Sequence, residues 1–212
     1  MTKRKGETSY KETAFGIIPR SELVPLEIEG IKKAWDFVLK KNENGKISIT
    51  PNLIKEIHSV GFGWIFPKMG GEYRKIEVKV SKHNPPKFFL IPQLMVDFSS
   101  DLQIRIKHLP KIENEKFLDE VISLVAWAHH KFLWIHPFAD YNGRVGRLLN
   151  SIILLKLNLP PVELKVETMS GRKKYVEALQ FADNHDYSKL EKIIKNAIQE
   201  SIKEIEMKNS SK

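Results

Sequence analysis

The chain has 212 residues, 42% hydrophobic and 9% aromatic, enough for one well-packed domain and too short for a second full one. It contains no cysteine, which excludes disulfides, thiolate metal sites and cysteine nucleophiles. Its net charge of +9 comes from lysines interleaved with acids, the pattern of a solvated basic surface rather than a nucleic-acid groove, and one that attracts nucleotide phosphates.

Residues 1–15 are polar and unpatterned and read as a flexible arm. Their early basic residues precede no apolar run, so they form no secretory signal, and no later apolar stretch is long enough to span a bilayer. A cytoplasmic protein without membrane or nucleic-acid partners is expected. From Pro25, PLEIEGIKKAWDFVLKK predicts a helix over 25–40 with Ile28, Ile31, Trp35 and Val38 on one face. TPNLIKEIHSV predicts a second helix, capped by Thr50 and with Pro51 at its first position.

GGEYRKIEVKVSKHNPPKFF differs from its surroundings. Tyr73, Lys75, Glu77 and Lys79 alternate with Arg74, Ile76, Val78 and Val80, which predicts one arm of an exposed hairpin spanning 71–90. Pro85 and Pro86 break the run, and KFFLI supplies the return arm. The rest reads as helical, ending in a disordered tail over 206–212. The fold class is therefore all-α, mainly a helical bundle with one small β-hairpin, as a single domain over 16–205.

The helix EKFLDEVISLVAWAHHKFLWI carries a broad apolar stripe and is expected at the centre. Pro137 stops it, because the residue before a proline is pushed out of the helical region. His136 thus stands on a rigid support at the break, where it can exchange a proton near neutral pH. The next helix starts near Asn142 or Gly143, and a helix start offers unpaired N–H groups to a phosphate. Gly143 permits close backbone approach, and Arg144 and Arg147 project from one side of that first turn as phosphate-gripping forks. Asp140 is placed either to cap the helix or to hold Mg²⁺ against the same phosphates. The cluster reads as a phosphoryl-type transfer site for a nucleotide.

HPFADYNGRVGR, residues 136–147, resembles the signature loop of the Fic (filamentation-induced-by-cAMP) family, H-P-F-x-D/E-G-N-G-R-x-x-R. RLLNSIILLKLNLPPVEL, KKYVEALQFADNHDYSKL and GGEYRKIEVKV are similar to the family's continuation and its flap hairpin. The resemblance implies a Fic-like fold and a Mg²⁺-dependent nucleotidyltransferase that moves AMP from ATP to a Ser, Thr or Tyr hydroxyl of a target protein, with self-modification as a further outcome. By the same resemblance His136 is the general base and Asp140 the Mg²⁺ ligand. Asn142, Gly143 and Arg144 hold phosphates, Arg147 binds the terminal one, and Phe138 anchors the loop. The segment Tyr73, Arg74, Lys75, Ile76, Glu77 and Val78 docks the target by strand addition.

Tyr141 departs from the family, which has a small residue there. If the position needs a positive φ, tyrosine costs energy and can shadow the anion site. An inactive protein-binding module therefore stands as one alternative; removal of AMP, or transfer of another nucleotide or phosphate, are others, with glycine at 143 favouring AMP transfer. Relatives also carry an inhibitory helix, S/T-x-x-x-E-G/N, whose glutamate pairs with the second motif arginine. Here PLEIEG supplies Glu29 and Gly30 with Pro25 in place of Ser or Thr, so Glu29 is expected to contact Arg147 and restrain activity. TSYKET, with Thr8 and Glu12, matches that spacing less well. The adjacent His129 and His130 point to different faces of their helix, so one of them reads as a core histidine bonded to backbone, and Asp183 reads as part of a capped turn.

Overall fold

The structure, a computed structural model, describes residues 9–80, 83–166 and 168–210. Its most apolar segment becomes its centre. In helix α4 (Phe117–Ile135) Val121, Val125, Ala128, Phe132 and Ile135 are sealed from solvent. Each large side chain so buried contributes about 2 kcal/mol. Around α4 pack α3 (Ile91–Lys107), α5 (Asn142–Lys156) and α7 (Ser188–Ser210), while α6 (Met169–Ala182) lies on α7. The helical fold class is as expected. So is α2 (Pro51–His58), whose cap Thr50 accepts from the Leu53 amide at 3.1 Å, with Pro51 at the first position.

Helix α1 runs from Arg20 to Lys41, five residues earlier than the proline suggested. Pro25 lies just beyond the first turn on the exposed side, where it removes one intrahelical bond without breaking the helix. The buried face is also different: Leu23, Glu27, Gly30, Ala34 and Val38 point inward, and Ile28 is exposed. Gly30 fixes this rotation. A Cβ on it would fall 2.1 Å from the Gly61 carbonyl, so only glycine lets α1 cross the π-helical turn Ser59–Gly63 so closely.

Among the described residues, the one regular hairpin begins in the region read as a flexible arm and ends just beyond it. Strands β1 (Tyr10–Thr13) and β2 (Gly16–Pro19) pair antiparallel, with Lys11 opposite Ile18 and Thr13 opposite Gly16. Gly16 takes the left-handed turn conformation, and the Ala14 amide ties the turn to the Ile65 carbonyl at 2.8 Å. The Thr8 of the weaker inhibitory pattern lies outside the described residues. At the other end α7 continues to Ser210, into the segment expected to be a disordered tail, whose last residues lie outside the described ones.

The expected hairpin over 71–90 forms two isolated bridges instead, Val80 with His83 and Tyr73 with Phe138. Pro85 and Pro86 offer no N–H to a ladder, and Phe88–Leu90 curls into a 3₁₀ turn that leads into α3.

Candidate active site

The loop between α4 and α5 begins and ends on left-handed residues, His136 at φ 50° and Tyr141 at φ 64°. Such non-glycine conformations cost about 1–3 kcal/mol each and persist only when their surroundings hold them. Four sets of contacts do so. Phe138 is buried and stacked on His58 with ring centres 3.9 Å apart. The Asn142 amide closes on the backbone of Phe138, accepting from its N–H at 2.9 Å and donating to its carbonyl at 2.8 Å. The Gly71 amide donates to His58 Nδ1 at 3.0 Å, which leaves His58 Nε2–H to donate to the Asp140 carbonyl at 3.3 Å. Tyr141 stacks on Phe62 at 4.1 Å, and its ring is buried away from the anion site it was expected to shadow.

His136, Gly143, Arg144 and Arg147 line one cavity of about 530 Å³ together with Leu133, Val166, Tyr175 and Leu179. Apolar side chains and guanidinium groups around one cavity suit a nucleotide, the former for its base and the latter for its phosphates. His136 Nδ1 donates to the Leu133 carbonyl at 3.3 Å, so the lone pair of Nε2 is the one available to take a proton. Burial, aided by the Arg74 charge, keeps the imidazole below the ordinary histidine range and therefore neutral at pH 7, the form a general base needs. His130 pairs with Asp183 at 2.9 Å on the wall of the cavity, so Asp183 is more than a turn residue. Asn142, expected to hold phosphate, is consumed in stapling the loop: a buried backbone N–H and carbonyl at Phe138 must be paired, and its side chain pairs them.

The glutamate that enters the site is Glu27. Its carboxylate is 1% exposed and receives three donors: Arg144 at 2.6 Å, the Tyr141 hydroxyl at 2.8 Å and Arg20 at 2.8 Å. Burial alone would raise this carboxyl, but the bonds from Arg144 and Tyr141 and the charges of Arg144 and Arg20 outweigh it and hold it below the usual range. Glu29, two residues on, is exposed on the other side of α1 and makes no contact with Arg147. The expected partner arginine changes too, from Arg147 to Arg144.

Asp140 is engaged from the N-terminal hairpin. Its Oδ2 accepts from the Lys11 ammonium, and its Oδ1 from the Tyr141 amide at 2.7 Å. Burial raises this carboxyl, while Lys11, the Tyr141 amide and Arg144 lower it further, so it is ionised. The Lys11 ammonium also lies over the ring of Tyr141, 5.2 Å from its centre. Asp140 lines a second cavity, with Lys11, Phe66 and Met69, and not the one that His136, Arg144 and Arg147 share; its half-buried carboxylate, already holding an ammonium group, is of the kind that can ligate a divalent cation.

In the segment expected to dock a target, the Arg74 amide is already bonded to the Pro137 carbonyl at 2.9 Å and its side chain is buried. Tyr73 is half-buried against Phe138. Lys75, Ile76 and Glu77 are exposed and Val78 partly so, leaving this short stretch open to a partner strand. Sequence reading missed Lys11, Arg20, Glu27, His58 and His83. The 3.6-residue spacing of Leu23, Gly30, Ala34 and Val38 was the available signal for Glu27; for Lys11 there was no local one.

The Fic/DOC family model matches residues 48–154. The chain is 33% identical over 180 residues to the protein adenylyltransferase Fic of Aedes aegypti, an alignment covering 84% of this chain and 33% of that protein. It is 31% identical to the protein of the same name from Nematostella vectensis, covering 88% and 40%. The chain thus spans about a third of the length of the curated relatives it matches. Among solved structures, Fic-1 (residues 134–508) from C. elegans superposes with a TM-score of 0.67 at 27% identity, over 88% of this chain and 52% of that one. The AMPPNP-bound Bartonella tribocorum effector BepC shares the fold, with a TM-score of 0.66 at 15% identity, covering 92% and 94%.

Proposed function

The chain belongs to the Fic/DOC family, and on that premise we propose that it is a protein adenylyltransferase moving AMP from ATP to a hydroxyl side chain of a target protein. The hydroxyl oxygen attacks the α-phosphorus, its proton passes to His136 Nε2, and the bond to the bridging oxygen breaks as pyrophosphate leaves. The observation that carries this reading is the placement of His136, tied through Nδ1 to the Leu133 carbonyl with the Nε2 lone pair left over, in the cavity that Arg144 and Arg147 also line. The start of α5 at Asn142 and Gly143 and the two guanidinium groups supply positive charge where phosphate charge develops. Asp140 is the residue suited to hold Mg²⁺, which would neutralise the leaving pyrophosphate.

The resting arrangement is restrained. Glu27 holds Arg144, and Lys11 holds Asp140, so two of the groups that would meet ATP are already occupied. Glu27 itself is a poor candidate for activating water in AMP removal, because both its oxygens are engaged and its carboxyl is held acidic. Tyr141 belongs to this restraint and to the core, not to a blocked phosphate site, which argues against an inactive binding module.

The test is labelling of protein by the full chain with Mg²⁺ and a cell lysate, using α-labelled and γ-labelled ATP in parallel. Label from the α-phosphate alone, abolished in His136→Ala, is expected. Label from the γ-phosphate alone would make the protein a kinase and overturn the proposal.

A further inference from the structure

The Arg74 side chain is sealed from solvent, 0% exposed, an uncommon place for a permanently charged group. Its carboxylate neighbour, Glu77, is distant at 3.9 Å. The fork is given instead to carbonyls from three stretches of chain: Nε donates to His136 at 2.9 Å, Nη1 to Ile76 at 2.9 Å, and Nη2 to Pro86. Burying a guanidinium without a close carboxylate sacrifices its hydration, and an apolar residue of similar volume would fill the space at lower cost. The carbonyl it grips most directly for chemistry belongs to His136, whose left-handed backbone needs an outside tie to persist.

We infer that Arg74 is a positioning residue for the proposed transfer: it locks His136 to both segments 71–80 and 83–87, so that the proton acceptor and the segment open to the target keep one fixed relation. The inference rests on the adenylyl-transfer reading for its consequence, though not for the tie itself. Ile76 stands near one end of the exposed stretch Lys75–Val78, and Pro86 lies on the return arm, so one planar group sets the spacing of both arms from His136. Lysine could keep the charge, but its compact ammonium cannot span three carbonyls in one plane. A displacement of about 1 Å between base and attacking hydroxyl lowers turnover by up to about a hundredfold.

The experiment compares the full-length wild type, Arg74→Lys and Arg74→Gln by hydrogen–deuterium exchange, AMPPNP affinity and label transfer from α-labelled ATP. In both variants, amides of 73–80, 83–87 and 136–141 should exchange about tenfold faster or more. Those of α4 and α5 should stay protected, AMPPNP affinity should stay within about twofold, and transfer should fall about tenfold or more. Unchanged exchange in the two loops overturns the inference. So does faster exchange spreading through α4 and α5 with loss of AMPPNP binding, because Arg74 would then merely support the fold. Unchanged transfer despite loosened loops overturns its catalytic consequence. Loosened loops in a protein whose wild type transfers no label would leave the tie standing and bring down the adenylyl-transfer reading instead.

Discussion

Glu27 accepts from three donors at once, and that concentration of partners decides what its removal should do. Glu27→Ala releases Arg144 to face the cavity and should tighten AMPPNP binding and raise label transfer, each by about tenfold, while leaving a buried tyrosine hydroxyl short of a partner and costing about 1–3 kcal/mol of stability. Glu29→Ala should leave binding, transfer and stability as they are, since its side chain lies in solvent. Titration of both variants with AMPPNP checks the pair, and activation by Glu29→Ala alone would reverse the assignment. The two glutamates share composition and neighbourhood in sequence. They differ only by about 200° around α1, and that angle is set by what α1 packs on.

At the level of elements, the hairpin β1–β2 behaves as a strap. It is held at its turn by the Ala14–Ile65 hydrogen bond and at its base by the bond from the Arg20 amide to the Ser9 carbonyl, with Lys11 reaching Asp140 between them. Lys11 is partly exposed, so its ion pair is screened and worth at most about 1 kcal/mol. Lys11→Met should therefore tighten Mn²⁺ binding, followed by electron paramagnetic resonance with AMPPNP present, by about two- to fivefold. No change would mean that Lys11 does not compete for the carboxylate. The strap was illegible in YKETAFGIIP because nothing in it alternates and no turn dipeptide marks it. The segment 73–80 misled for the opposite reason: it alternates well, but its would-be partner begins with two prolines that cannot donate.

Across the whole molecule, two buried histidines couple the site to stability. Burial, the largest cause, lowers both His58 and His129 to about 4. The unfolded chain takes up these protons below about pH 6.5 while the folded chain does not, so stability is full above that pH and is lost progressively down to about pH 4. Glu27 and Asp140, both lowered, withdraw their contributions further down, as pH falls below the ordinary carboxylate range. The unfolding temperature should accordingly drop by about 5–10 °C between pH 7 and pH 5. His58→Gln, weaker overall, should show a shallower slope; an identical slope would mean that His58 is not a source of the loss.

The sequence by itself determined the helical class, the central α4, the cap of α2 and the placement of His136, Asp140, Gly143, Arg144 and Arg147, because each follows from local rules: apolar periodicity, a proline stop, a helix start. Only the tertiary structure decided that Glu27 and not Glu29 meets an arginine, that Asn142 staples the loop, that Arg74 is buried and that Lys11 sits on Asp140. Those outcomes depend on how α1 rotates over Gly61 and on contacts between residues up to 129 positions apart, and no local pattern encodes the angle or the distance at which such elements meet.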